Sequence, residues 1–482
     1  MRLFSPALAA ALTAGALLAL AGCAHVPADT AIPATPDFAR VQHAASIKLA
    51  RDAWPVREWW REYRDPQLDN LVARALNDAP TLAVARARLA AARAAVAGER
   101  AAAGVQTGLT AGLNRERYSS NGLFPPPIGG AWFNDTSVQV GAAYEFDWWG
   151  RHRAQVASAL GEENARQAEA SQAEQLLTAA VAQSYFRLQM LWARQDNADQ
   201  LALEQRQLVE DRTARIKHGL ATIDERRSAE LELATLLEQA SRYQTQAARE
   251  RETLRALIGA DSEALENLQR RVPLSAPGSL PQQLGIELLA RRPDLQAARW
   301  RVESALGRVK ASEAAFYPSL NLSAAIGLDS VSLEKLLRYG SRTLLAGAAL
   351  DLPLFDSGRL EAGLAADRAR RDEIIADYNQ SVVGAVREVA EEGATLQGID
   401  QQQKTHLGAV LAAAQLEDHA KARFSQGLLD RAALIQARIG VLHQHDVSLQ
   451  IIDAKLQTQV ALVKALGGGY RAAPTQAVSA QH

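Results

Sequence analysis

The sequence predicts a mainly α-helical protein that carries a membrane β-barrel element and is internally duplicated. Three observations predict it. Two proline-free stretches of more than sixty residues are rich in Ala, Gln, Glu and Arg, four shorter segments alternate apolar with polar or small residues, and the same landmarks recur in the same order in both halves of the chain.

Composition sets the frame. Among 482 residues, 53 Lys and Arg balance 54 Asp and Glu, leaving no basic excess to hold nucleic acid. Aromatic residues make up only 5%, which fits long helices better than a large mixed core. The single cysteine, Cys23, excludes an internal disulfide.

The first element is an export signal. Arg2 supplies a short positive start, residues 3–20 form a nearly uncharged apolar run, and "LAGC" ends at Cys23. This resembles a bacterial lipobox, so residues 1–22 are expected to be removed and Cys23 to carry lipid at the head of an anchored segment, residues 23–66. Ala24, rather than Asp, is what lipoproteins sent to the outer membrane usually show. An uncleaved membrane anchor is the alternative, because the run is just long enough to span a bilayer. No later apolar run approaches that length, so any further membrane crossing must be made by strands.

The duplication orders the rest. "PTLAVARARLAAARAAVAGERAAA" from Pro80 aligns without a gap on "PDLQAARWRVESALGRVKASEAAF" from Pro293. Gly150-Arg151 answers Gly358-Arg359, "RIKHGLA" answers "RFSQGLL", and "RALIGA" answers "VKALGGG". Expected boundaries are a first repeat over residues 67–258, an equatorial linker over 259–283, a second repeat over 284–466, and a tail over 467–482.

Each repeat holds two strands. Val138, Val140, Ala142, Tyr144, Phe146 and Trp148 alternate with polar or small residues, and residues 105–114 are a looser version. Leu320, Leu322, Ala324, Ile326 and Leu328 form the third, and Leu344 to Leu354 at every second position the fourth. About ten residues suffice to cross a bilayer as a tilted strand; the alternative is a half-exposed sheet of a soluble domain. Four strands cannot close a membrane barrel, and an open edge in lipid costs several kcal/mol per unpaired group. They must be pooled between chains, twelve from three copies or eight from two. Trp148 and Trp149, beside Gly150, suit either an interfacial aromatic belt or the packing of a strand-to-helix corner, and Gly358 marks the second join.

Helix lengths suggest a tube wall. Residues 151–217 would form one helix roughly 100 Å long, and residues 359–425 another. Shorter helices return over 223–258 and 431–466, and helices over 66–103 and 284–315 supply the missing halves. Heptad spacing through Leu177, Val181, Ser184, Leu188 and Leu191 fits lateral packing. The same spacing on the last helix includes Asp446 and Asp453, facing either a water-filled interior or a solvated flank. "HQHD" at 443–446 has metal-capable side chains but no second cluster, so it reads as surface. Phosphate-binding loops, nucleophile elbows and paired metal clusters are missing from the sequence, so neither enzyme, cofactor nor metal is expected.

These residues resemble the TolC-like outer-membrane factor family of efflux channels, in its NodT-type lipoprotein branch. The resemblance rests on "WWREYRDPQLDNLVARAL", "YEFDWWGR", "FYPSL", "LPLFDSGR" and "YNQSVVGAVREVAE" together with the duplication. It implies a homotrimer with a twelve-stranded barrel in the outer membrane and an α-helical tunnel through the periplasm. It further implies multidrug efflux with an inner-membrane pump of the RND type and a periplasmic adaptor, and attachment to outer-membrane lipid through an acyl chain such as palmitate on Cys23. The hairpin tips of the family meet the adaptor, which places that contact at Gly219, Leu220, Gly427 and Leu428. Where many members carry Asp six residues after the tip glycine, this chain has Glu225 beside Asp224, and Ala433 with Asp430 nearby. Asp224, Glu225 and Asp430 are therefore candidates for a cation-attracting aperture, although acids at 224 and 225 equally suit the first turn of a helix. Type I protein secretion through the same fold is the alternative function, and a periplasmic coiled-coil adaptor a more distant one.

Overall fold

The computed structural model describes residues 26–29, 33, 47–273, 278–282 and 285–472. The signal segment, Cys23 and the tail from 473 lie outside the described residues.

Element order repeats as the sequence does. The first copy runs α1 (Pro66–Asp78), α2 (Pro80–Ala102), β1 (Gln106–Arg117), β2 (Trp132–Phe146), α3 (Arg151–Ile216) and α4 (Ile223–Leu257). The second runs α5 (Gly285–Arg291), α6 (Pro293–Ala314), β3 (Ser319–Ser330), β4 (Arg342–Asp351), α7 (Arg359–Ser425) and α8 (Arg431–Ala465). The long helices α3 and α7 have 66 and 67 residues, and the return helices α4 and α8 have 35 each.

Two expected helices are each broken in two. Ala79 sits in an extended conformation, φ −64° and ψ 127°, between α1 and α2. The ring of Pro80 disfavours helical geometry in the residue before it. Pro293 produces the same break after Arg292. At the start of α1, Asp65 accepts a hydrogen bond from the Gln67 amide at 3.0 Å, with Pro66 in the first turn.

Contacts divide the chain into two compact units. The first comprises Leu89–Arg166 and Ala298–Tyr378 with the described residues 26–29, and the second takes most of the remainder, including Gln167–Ala297.

In the first unit the four strands form one antiparallel sheet in the order β1-β2-β3-β4. Val140 lies opposite both Leu109 and Ile326, and Ile326 opposite Leu344. Because directly paired residues share a face, one face collects Leu109, Leu113, Val138, Val140, Tyr144, Phe146, Leu322, Ile326, Leu344 and Leu350. The opposite face carries Thr110, Asn114, Ser137, Gln139, Asn321, Ser323 and Thr343. The apolar face is solvent-accessible in the single chain: Leu109 is 69% and Leu344 81% exposed. Neither β1 nor β4 has a strand on its outer side among the described residues.

Strand ends differ from the apolar pattern. β2 starts at Trp132, six residues before the alternation is clear, because residues 132–137 still pair with the far half of β1. β4 stops at Asp351, leaving Leu352 and Leu354 outside the strand, since Pro353 cannot donate to a ladder.

Below the strands α3 and α6 cross closely. A Cβ at Gly161 would lie 2.7 Å from the Ser304 amide nitrogen, and one at Gly307 2.8 Å from that of Ser158. The Ser158 and Ser304 hydroxyls meet at 3.2 Å. A small core of Val309, Phe316 and Leu364 takes in Val26. Nearby, buried Arg371 pairs with Asp29 and Asp372.

The second unit has a larger core. Trp59, Trp60, Tyr63, Leu68, Tyr185, Phe186, Leu188, Leu254, Leu456 and Val460 form it. The heptad positions Leu177, Val181 and Leu188 are buried in the same cluster, while Ser184 donates to Glu250 at 2.6 Å. Asp446 and Asp453 do not lie on an open solvated flank. Asp446 accepts two hydrogen bonds from Arg194, at 3.0 and 3.3 Å, and burial pushes the Asp453 carboxyl above its ordinary range. Asp446 thus ties α8 to α3.

Candidate functional site

Each long helix ends in the same reversal. After α3, Gly219 takes φ +68°, its amide donates to Ile216 at 3.0 Å, and the Leu220 amide donates to Arg215 at 3.0 Å. After α7, Gly427 takes φ +73°, with its amide on Phe424 at 3.0 Å and that of Leu428 on Arg423 at 2.9 Å. This two-bond cap satisfies carbonyls left over at a helix end and needs a left-handed residue that glycine supplies without penalty. Three residues beyond each glycine the return helix is capped. Thr222 Oγ1 accepts from the Glu225 amide at 3.2 Å, and Asp430 Oδ1 from that of Ala433 at 2.9 Å.

The tips are apolar at their ends. Leu220 is 66% and Leu428 64% exposed. Both are unburied apolar side chains at matching positions of the two copies.

Charges then distinguish the three candidate carboxylates. Asp430 is occupied twice, as the helix cap and as the partner of the Arg215 guanidinium, which joins the first tip to the second. Arg215, with help from the Ala433 amide, holds the Asp430 carboxyl below the usual range. Glu225 pairs with Arg212 at 3.1 Å. Asp224 is exposed in the first turn of α4. Sequence reasoning passed over Arg212 and Arg215 as partners of these acids; Arg215 carried a signal as the basic residue in the last turn of α3.

The strand-to-helix joins use a second pair of left-handed glycines, Gly150 at φ +76° and Gly358 at φ +81°. An acid caps each following helix. Asp147 accepts from the His152 and Arg153 amides at 2.9 and 3.0 Å, and Asp356 from that of Leu360 at 2.9 Å. These caps were legible as Phe-Asp before Gly-Arg and were overlooked. The two tryptophans separate. Trp149 stacks on Tyr317 with centroids 4.5 Å apart and donates from Nε1 to the Pro318 carbonyl at 2.9 Å, whereas Trp148 is 68% exposed.

In the histidine-rich stretch His443 and His445 are exposed, as the sequence reading expects. His445 Nδ1 lies 2.9 Å from the Asn197 side chain, and Asp446 is held by Arg194. Among the described residues there is no group of three metal-capable side chains, and no helix long and apolar enough to cross a membrane.

A duplicated chain with two helical hairpins, and a sheet that is apolar on one side and polar on the other, defines a class: strand-inserted membrane proteins with a helical extension. The chain matches the family model described as outer membrane efflux protein over residues 71–260 and 284–468. It is 35% identical over 472 residues to the multidrug resistance outer membrane protein MdtP of Escherichia coli O6:H1, covering 95% of this chain and 96% of that protein. Among solved structures it is similar to the outer membrane protein VceC of Vibrio cholerae, with TM-score 0.78 and 29% identity, covering 86% of this chain and all of that one. The outer membrane channel CmeC of Campylobacter jejuni shares the fold at TM-score 0.80 and 19% identity, over 93% of this chain and 94% of that one. The chain belongs to the outer membrane efflux protein family. It is an efflux protein of the outer membrane, and CmeC, which shares its fold, is an outer membrane channel.

Proposed function

We propose that three copies of this chain pool their strands into a twelve-stranded barrel and their helices into a periplasmic tunnel, through which small molecules leave the cell passively. The observation that carries the reading is the sheet itself: two unpaired edge strands, one apolar face and one polar face. Open edges in lipid are too costly to persist, and β1 of one copy pairing with β4 of the next removes them. The polar face then lines an aqueous lumen.

On this reading the two tips form the periplasmic entrance. Leu220 and Leu428, held outward by Gly219 and Gly427, offer a periplasmic adaptor apolar anchors, and the adaptor joins the channel to an inner-membrane pump of the RND type. Asp224 is the best-placed aperture acid, since Asp430 and Glu225 are engaged by Arg215 and Arg212. Gly150 and Gly358 turn each strand into its helix, with Trp148 at the membrane interface and Trp149 packing the corner. Cys23 carries the lipid that anchors the mature chain. No catalysis or cofactor is required, because energy enters at the pump. The relatedness to MdtP, named for multidrug resistance, supports drugs as cargo over protein secretion.

The test combines two measurements. Purified protein in planar bilayers should conduct, with conductance altered in Asp224→Lys. Crosslinking in cells should join the tips to an adaptor. Silent bilayers, or crosslinks confined to other surfaces, would contradict the assignment.

A further inference from the structure

The outward face of the strands is charged at one end only. Arg115 lies opposite Asn134 and Arg117 opposite Trp132, while Arg342 lies opposite Leu328. By the pairing parity that puts Val138, Val140 and Ile326 on the apolar face, all three arginines share that face. The acids at the same end, Glu116, Asp135 and Asp329, fall on the opposite face. Charge is therefore sorted across the sheet: cations out, anions in.

None of the three arginines pairs with a carboxylate among the described residues. Arg115 lies over the Trp132 ring, 5.5 Å from its centroid, Arg117 Nε donates to the Gly130 carbonyl at 3.0 Å, and Arg342 lies over Tyr339 at 4.3 Å. Stacking on an aromatic face leaves guanidinium N–H groups free for an anion. At the helix end of the sheet the outward positions are Thr107, Tyr144, Phe146, Leu320 and Leu350, which include no cation.

Depth fits as well. From Trp132 to Tyr144 a strand tilted about 40° rises roughly 30 Å, the thickness of a bilayer's hydrocarbon core. Arg115 and Arg117, which pair with Asn134 and Trp132, then stand at headgroup level, where outward cations are tolerated, while Arg342, in register with Leu328 and through it with Val138, lies deeper. The end remote from the helices faces the outer leaflet.

We propose that Arg115 and Arg117 bind the phosphate groups of a phosphorylated glycolipid in the outer leaflet. The assignment rests on the pooled-barrel reading above. Trp132 fixes the depth of the site, and paired guanidinium donors suit phosphate oxygens.

The experiment is native mass spectrometry of the full-length mature protein titrated with diphosphoryl lipid A, with phosphatidylcholine as the neutral comparison. Wild type should hold diphosphoryl lipid A on the three-copy mass in preference to phosphatidylcholine. The double variant Arg115→Gln/Arg117→Gln should bind about tenfold more weakly or worse, while Arg115→Lys/Arg117→Lys, which keeps the charge but loses the paired donors, should fall between the two. A three-copy particle whose lipid A binding is equal in all three proteins, or no greater than for phosphatidylcholine, would overturn the assignment alone. Absence of a three-copy mass in the wild type would instead overturn the barrel reading, and this site with it.

Discussion

Replacing Gly219 by valine isolates what the tip turn does. A Cβ at this position meets nothing within 4 Å, so the first side-chain atom adds no clash and the cost is chiefly that of the backbone. Gly219 sits at φ +68°, where an L-residue loses about 1–2 kcal/mol and a β-branched one more. At about 1.4 kcal/mol per factor of ten, the reversal would be depopulated roughly 5- to 30-fold relative to alternatives. The Leu220-to-Arg215 and Gly219-to-Ile216 bonds would open together, and Leu220 would leave its place. No buried side chain is touched, so assembly should survive. The assay is accumulation of an efflux dye in cells whose only channel is the variant, beside a native gel of the extracted protein. Gly219→Val should raise dye accumulation to the level of cells without the channel while the oligomer band stays. Gly219→Asn, which tolerates a left-handed backbone, should keep most of the export. Full export by the valine variant at normal abundance would refute the reasoning that this turn is the working end.

Other substitutions probe the remaining parts. Gly161→Leu drives a side chain into Ser304 at the α3–α6 crossing and should destabilise by about 1–3 kcal/mol, read as a lowered melting temperature; Gly98→Ala, where a Cβ meets nothing, should leave the melting temperature unchanged or slightly raised. Asp430→Ala removes the α8 cap, worth about 1 kcal/mol in such positions, and frees Arg215; resting conductance in planar bilayers should rise. Because the Asp430 carboxyl is held below its ordinary range, the Arg215 contact should persist from neutral pH through pH 5. It should be lost only as pH falls through that lowered value, so conductance of the wild type should be flat above about pH 5. Asp453 has the opposite sign: burial raises its carboxyl, so its ionisation near neutrality opposes folding, and Asp453→Asn should raise the melting temperature at pH 7.5 but not at pH 3. Cys23→Ala should abolish incorporation of labelled palmitate.

Local rules made much of the architecture legible. The long helices were readable because nothing between Arg151 and Ile216 interrupts them, and the tips because Gly219-Leu220 and Gly427-Leu428 recur at matching points of the two repeats. Pro80 and Pro293 were visible too, but their effect was underestimated: the preceding residue leaves the helix and splits it. The start of β2 was hidden because its ladder to β1 outlasts its apolar alternation, which depends on a partner strand rather than on its own residues. Least legible was the link between tips. Arg215 and Asp430 are 215 positions apart, and only the folding of two hairpins side by side brings them together. The same limit applies to the outward arginines, whose common face follows from register.

Pooling of strands between copies is the central claim, and single-particle electron microscopy of the detergent-extracted, full-length protein tests it most directly. The account predicts a threefold particle with a closed twelve-stranded barrel, β1 of each copy hydrogen-bonded to β4 of its neighbour. A monomer with both edges of its sheet open, or a closed ring of any other number of copies, would contradict it.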